Sequence, residues 1–274
     1  MNKQLKIITV LTILLSVGLA IVSFYGAFVP TAYARETPAM AAQGMGQDMA
    51  DLFFIVPLLL VSLVFIRFCN IIGFYVFAGT LFYILYSFVI YSFGVHFNSM
   101  FLLYSAILGS SVYAFIILMN LSGTLNVKDW FRDGFPTGIT GVYLLLISLM
   151  FYFLWLKEIV PALMTDTVPK SVSDYNLLVN PVHVIDLSFA LPGMIITAIL
   201  LMKKKRLGYI LAPVSLVFII LLAIALGVMV MAMKQEGVSD DASVAGIFIV
   251  LAVISLVFLL IFFSKLQKNR FDCK

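Results

Sequence analysis

Residues 244–264 read VAGIFIVLAVISLVFLLIFFS, without one charged side chain. About 20 apolar residues, rising ~1.5 Å each as an α-helix, cross the ~30 Å hydrocarbon core of a bilayer. Seven more apolar runs can be drawn outward from this one, at 7–28, 52–68, 72–93, 100–121, 139–156, 184–202 and 209–233. Hydrophobic residues make up 63% of the 274-residue chain and charged residues 11%. Soluble domains are about half apolar and a quarter charged, so lipid rather than water must cover this surface. A transmembrane β-barrel would show alternating segments of ~10 residues. The runs here are long and unalternated, and helices satisfy their own backbone in lipid. The expectation is an all-α polytopic membrane protein of about eight transmembrane helices.

Basic residues mark alternate connections: Lys3 and Lys6, Arg67, Lys128 with Arg132, Lys203-Lys204-Lys205-Arg206, and the tail with Lys265, Lys268, Arg270 and Lys274. Such connections belong on the cytoplasmic side of an inner membrane, which places both termini there. The other loops carry Glu36, Asp48, Asp51, Asp166, Asp174, Glu236, Asp240 and Asp241. The net charge of +4 follows from this pattern and gives no nucleic-acid footprint. The first run, with Ala32-Tyr33-Ala34 behind it, has features of a signal peptide, but exceeds the ~7–15 residues of a signal core and is read as a retained span. Cys69 and Cys273, far apart and near cytoplasmic ends, are expected to remain thiols. The aromatic and charged stretch 126–133 is expected to lie on the inner leaflet, with Trp130 as a headgroup anchor.

An internal repeat is visible. Asp51-Leu52-Phe53-Phe54-Ile55-Val56-Pro57 returns as Asp186-Leu187-Ser188-Phe189-Ala190-Leu191-Pro192, shifted by 135 positions, and Gly73-Phe74 returns as Gly208-Tyr209. The shift divides the chain into 1–136 and 137–274, two four-helix repeats. An even number of spans gives both repeats the same orientation, related by an axis along the membrane normal.

Asp51 and Asp186 each precede an apolar run at the outer face. They read as N-caps or as paired ion- or substrate-binding carboxylates. Lys157, Glu158 and His183 fall near Asp186 in the expected topology, and His183 and Asp186 share a helical face. Thr80, Tyr83, Ser87 and Tyr91 form a polar stripe that must face other helices or a cavity. No P-loop, zinc-protease, nucleophile-elbow or dinucleotide motif is present, and no cofactor or metal is expected.

The Asp51-to-Pro57 stretch, Phe93-Gly94-Val95-His96-Phe97-Asn98, the stretch from Asn180-Pro181 through His183 to Asp186, and Gly208-Tyr209 together resemble a family of uncharacterised multi-pass bacterial inner-membrane proteins. The resemblance covers most of the chain and implies no activity. Three functional readings stay open. One is a small transporter with an ion or small-molecule substrate. Another is a non-catalytic scaffold for a membrane-protein partner. The third is an enzyme using Glu158, His183 or Asp186 at the outer face.

Overall fold

The computed structural model describes residues 3–123, 126–132, 134, 137–239 and 243–271. Asp133, Asp240, Asp241, Cys273 and Lys274, which enter the reading above, lie outside the described residues. Among the described residues, eight helices are long and apolar enough to cross a membrane: α1 (Lys3–Phe28), α2 (Pro38–Arg67), α3 (Ile71–Gly94), α4 (Phe101–Gly123), α5 (Thr137–Met164), α6 (Pro181–Met202), α7 (Arg206–Gln235) and α8 (Ser243–Ser264). The chain is an all-α polytopic membrane protein. Its outward faces carry Leu102, Phe153, Ile247 and many other exposed apolar side chains, as lipid contact requires.

The most enclosed helix is α3, which packs on α2, α4 and α7. Its crossing with α7 is close because Gly79 has no side chain. A β-carbon there would run into the Val217 side chain and stand 3.0 Å from the Val214 carbonyl. Beside the crossing, the Phe218 ring centroid lies 4.8 Å from Phe82 and 5.1 Å from Tyr86. α1 packs on α2 and α4. In the second half, Tyr143 of α5 stacks on Phe258 of α8 at 4.3 Å, and its hydroxyl meets Ser255 at 2.6 Å.

Several local features recur at the 135-residue shift. Both Asp51–Ile55 and Asp186–Ala190 are π-helical turns, in which the N–H of Val56 or Leu191 reaches back to the aspartate carbonyl. A proline follows each turn, at 57 and 192. Proline lacks an N–H and its ring crowds the carbonyl four residues back, so widening the turn there removes the clash. The hairpins after α2 and α6 also agree. Cys69 and Lys204 have φ near +58° and +52°. Asn70 N–H donates to the Phe65 carbonyl, as Lys205 N–H does to Leu200. Gly73 leaves room for Phe65, and Gly208 for the Leu200–Leu201 backbone.

At the hairpin end of the bundle, the structure corrects two expectations. Trp130 is 4% exposed and stacks on Phe271, with its ring edge-on to Phe74 and Tyr75. It fills the base of the bundle rather than anchoring at headgroup level, because the tail folds back over it. The Ile71 N–H donates to the Asn269 carbonyl, and Phe271 N–H to the Cys69 carbonyl. Cys69 is disulfide-bonded, against the expectation of a free thiol; Cys273 lies outside the described residues. Separation in sequence misled here, since the Asn70–Arg270 bridge brings the two regions together.

Candidate functional site

The site begins with the true start of α2. Thr37 caps the helix, its hydroxyl accepting from Met40 N–H, and Pro38 opens the first turn, where its missing N–H costs nothing. Thirteen residues of helix, Pro38–Ala50, therefore precede Asp51. At ~1.5 Å per residue, Asp51 lies ~20 Å along the axis from the helix start. The N-cap reading of Asp51 is thus overturned. That of Asp186 fails for a similar reason: Asn180 caps α6, accepting from Val182 N–H at 2.9 Å, and Asp186 follows in the second turn.

Asp48 and Asp51 are 0% and 1% exposed. Three positions apart on a helix, they share a face. Asp48 accepts from the Tyr33 hydroxyl, and its other oxygen accepts from Tyr91 at 3.1 Å. Asp51 Oδ1 accepts from Tyr83 at 2.8 Å and from Gln47 Nε2 at 3.2 Å. Asp51 Oδ2 is buried without a hydrogen-bond partner. Gln47 also donates to the Tyr83 hydroxyl, closing the network. Neither carboxylate belongs to an ion pair among the described residues; the two ion pairs there join His96 to Glu36 and His183 to Glu158. Tyr33 lies in the connection before α2, and its phenol is held well above the ordinary tyrosine range, first by burial and then by the neighbouring Asp48 charge. Glycines make the packing feasible: Gly44 faces the Tyr33 ring, and Gly46 lies against the Met229 backbone of α7.

A cavity of about 280 Å³ opens where α2 and α3 face α5, α6 and α7. Its polar lining includes Gln47, Tyr86, Tyr91, Trp155, Tyr175 and Asp186. Asp186 is 7% exposed and its Oδ2 accepts from Trp155 Nε1 at 2.8 Å. Gln43 of α2 donates to the Tyr175 hydroxyl at 2.8 Å, tying the loop between α5 and α6 across the cavity. A smaller void of about 30 Å³ lies beside Asp186 against Phe218 and Ile219, large enough for water.

The sequence candidates are divided by this geometry. Asp186, Ser87 and Tyr91 line the cavity. Asp51 and Tyr83 bond each other behind its wall. The Thr80 hydroxyl donates to the Val76 carbonyl of its own helix, at 2.8 Å, and does not line the cavity. His183 is buried beside Trp155, with ring centroids 4.7 Å apart, and its Nε2 is 3.9 Å from Glu158 Oε2. Glu158 accepts from Ser171 N–H at 2.8 Å, and Lys157 is exposed. Glu158, His183 and Asp186 thus sit around Trp155 instead of converging on one pocket. No group of three His, Cys, Asp or Glu side chains among the described residues could hold a metal ion.

Sequence reasoning missed Tyr33, Gln47, Asp48, Tyr86 and Trp155. Thr37-Pro38 was the available signal for the early start of α2, and it would have put Asp48 and Asp51 inside one helix.

No family model matches the chain, and neither the curated proteins nor the solved structures contain a match.

Proposed function

We propose that this protein is a small transporter, with its substrate held in the cavity between two repeated halves. The observation that carries the reading is the cavity's position. Residues 1–136 contribute Gln47, Tyr86 and Tyr91 to its wall, and residues 137–274 contribute Trp155, Tyr175 and Asp186. The recurring π turns, hairpin bonds and glycine contacts support reading the halves as parallel copies, and transporters built from repeats place substrate near the bilayer midplane where the repeats meet. A movement of one half against the other would open such a cavity to alternate sides.

The buried acids supply the second requirement of a pump, a site for a coupling ion. A carboxylate enclosed in a low-dielectric interior without a cationic partner is costly unless a proton or cation neutralises it. Asp48 and Asp51 meet that description, and Gln47 and Tyr91 connect them to the cavity.

The basic connections support placing the Arg67, Lys203–Arg206 and tail end in the cytoplasm of a bacterial inner membrane, with the cavity toward the other side. Purified protein in proteoliposomes tests the reading. Flux is measured across cation, anion and neutral solute classes, with and without a pH gradient. Uptake of one class, reduced at least ~10-fold by Asp186→Asn, is expected, a loss of ~1.4 kcal/mol. Absence of flux for every class under every gradient would end the proposal.

A further inference from the structure

We infer that the cavity between the two halves takes an organic monocation with an apolar body, for which the Asp186 carboxylate is the counter-charge. The inference rests on the cavity being the substrate site proposed above. Among its described lining residues Asp186 is the one ionisable carboxylate, and none of them is a lysine, arginine or histidine. The Trp155 indole bonds Asp186 Oδ2 and so aims the carboxylate, but a neutral donor leaves its charge uncompensated. An anion would be repelled there, and a neutral solute would gain nothing from the carboxylate's charge, whereas a cation pairs with it.

The rest of the wall selects among cations. Most of the lining is carbon, with Tyr86, Tyr91, Trp155 and Tyr175 supplying aromatic rings. Aromatic faces attract cations, and quaternary ammonium groups are bound by rings set around them. A hard metal ion asks instead for a shell of oxygens in which carboxylates carry the charge, and the described wall has one carboxylate. At about 280 Å³ the cavity is near the small end of ligand sites, ~300–1,000 Å³. It therefore fits one ammonium head with a modest hydrocarbon body. The apolar part lies against the carbon-rich wall, and the Asp186 carboxylate fixes the head.

The test uses the full chain in nanodiscs of zwitterionic lipid, titrated with benzyltrimethylammonium, its neutral carbon isostere neopentylbenzene, and benzoate. Tryptophan fluorescence is the readout. The chain has two tryptophans; Trp155 lines the cavity, whereas Trp130 is stacked on Phe271 at the hairpin end. A saturable change with the ammonium compound alone is expected, with its midpoint shifted at least ~10-fold upward in Asp186→Asn. The isostere comparison needs no variant, so it decides even if Asp186→Asn fails to fold. Equal binding of neopentylbenzene, preferential binding of benzoate, or no saturable ammonium binding would overturn the inference. Saturable ammonium binding without flux in proteoliposomes would instead remove the transport reading and leave the cation site standing.

Discussion

Gly26 of α1 lies directly beneath the Asp48 carboxylate of α2, so close that a β-carbon at residue 26 would overlap Oδ2 and crowd the Tyr33 hydroxyl at 2.9 Å. The acid network therefore depends on a missing methyl group on a neighbouring helix. Substituting Gly26→Ala removes a flexible residue from a helix, a gain of up to ~1 kcal/mol. Overpacking a dense interior costs ~1–3 kcal/mol, and the displaced carboxylate also loses its tyrosine donor. The melting temperature in detergent should fall for Gly26→Ala and fall further for Gly26→Val. Gly109→Ala is the control, because a β-carbon there meets nothing within 4 Å; it should leave the melting temperature unchanged or raise it. Equal behaviour of the two alanine variants would show that the close packing at Gly26 carries no cost.

Tyr33 should leave a mark on the alkaline limb of stability. Its phenol is held above the ordinary tyrosine range in the folded protein. Above pH ~10 the unfolded chain ionises this group while the folded chain keeps its proton. The unfolded state then binds fewer protons, so stability falls as pH rises. The contribution is fully present at neutral pH and disappears above ~10. Tyr33→Phe should be less stable at pH 7 by ~1 kcal/mol, for the lost hydrogen bond. Its stability should also decline less steeply above pH ~10. Parallel alkaline unfolding curves for the two proteins would contradict the assignment.

The π turn at Asp51 should be removable without unfolding the helix. Pro57→Ala restores the N–H and relieves the crowding that favours the wide turn. Closing the turn to α geometry rotates one side of the helix by ~100° against the other. Asp51 then swings away from Tyr83, to which it is bonded at 2.8 Å. The expected result is a lowered melting temperature, for the bonds Asp51 loses, with helical content kept and flux reduced at least ~10-fold. Wild-type flux from a protein whose 51–57 backbone had become α-helical would show that the turn has no functional part.

Reduction should loosen the hairpin end. Cys69 is disulfide-bonded, and a disulfide typically contributes ~2–4 kcal/mol, with strain reducing the gain. Dithiothreitol should lower the melting temperature of wild type but not of Cys69→Ser. A membrane-impermeant maleimide, added after reduction, also tests sidedness, because disulfides are rare in the cytosol. If the basic end faces inward, labelling of Cys69 appears in inverted vesicles and not in intact cells.

The span count was legible in the sequence because lipid imposes a length and a composition that few residues violate. The beginning of α2 was not. Pro38–Ala50 reads PAMAAQGMGQDMA, poor in large apolar residues, and resembles a loop. That composition suits a helix wedged against protein, where Gly44 and Gly46 admit Tyr33 and Met229. The polar stripe on α3 was readable from its spacing, but which hydroxyls meet acids depended on α2 reaching so far outward. Tyr83 and Tyr91 find Asp51 and Asp48, whereas Thr80 turns back on its own helix. Trp130 was misplaced because nothing local announces that residues 269–271 return to cover it.

That return contact also sets a timetable for biogenesis. Asn70 bridges to Arg270, a residue the ribosome adds 200 codons later. At ~5–20 residues per second, the hairpin between α2 and α3 waits ~10–40 s for its permanent neighbour. During that interval the remaining six membrane helices, α3 to α8, are synthesised, while the aromatic base around Phe74 and Trp130 stays uncapped. A nascent chain arrested before residue 265 should remain open to protease at that hairpin, whereas the full chain should be protected there.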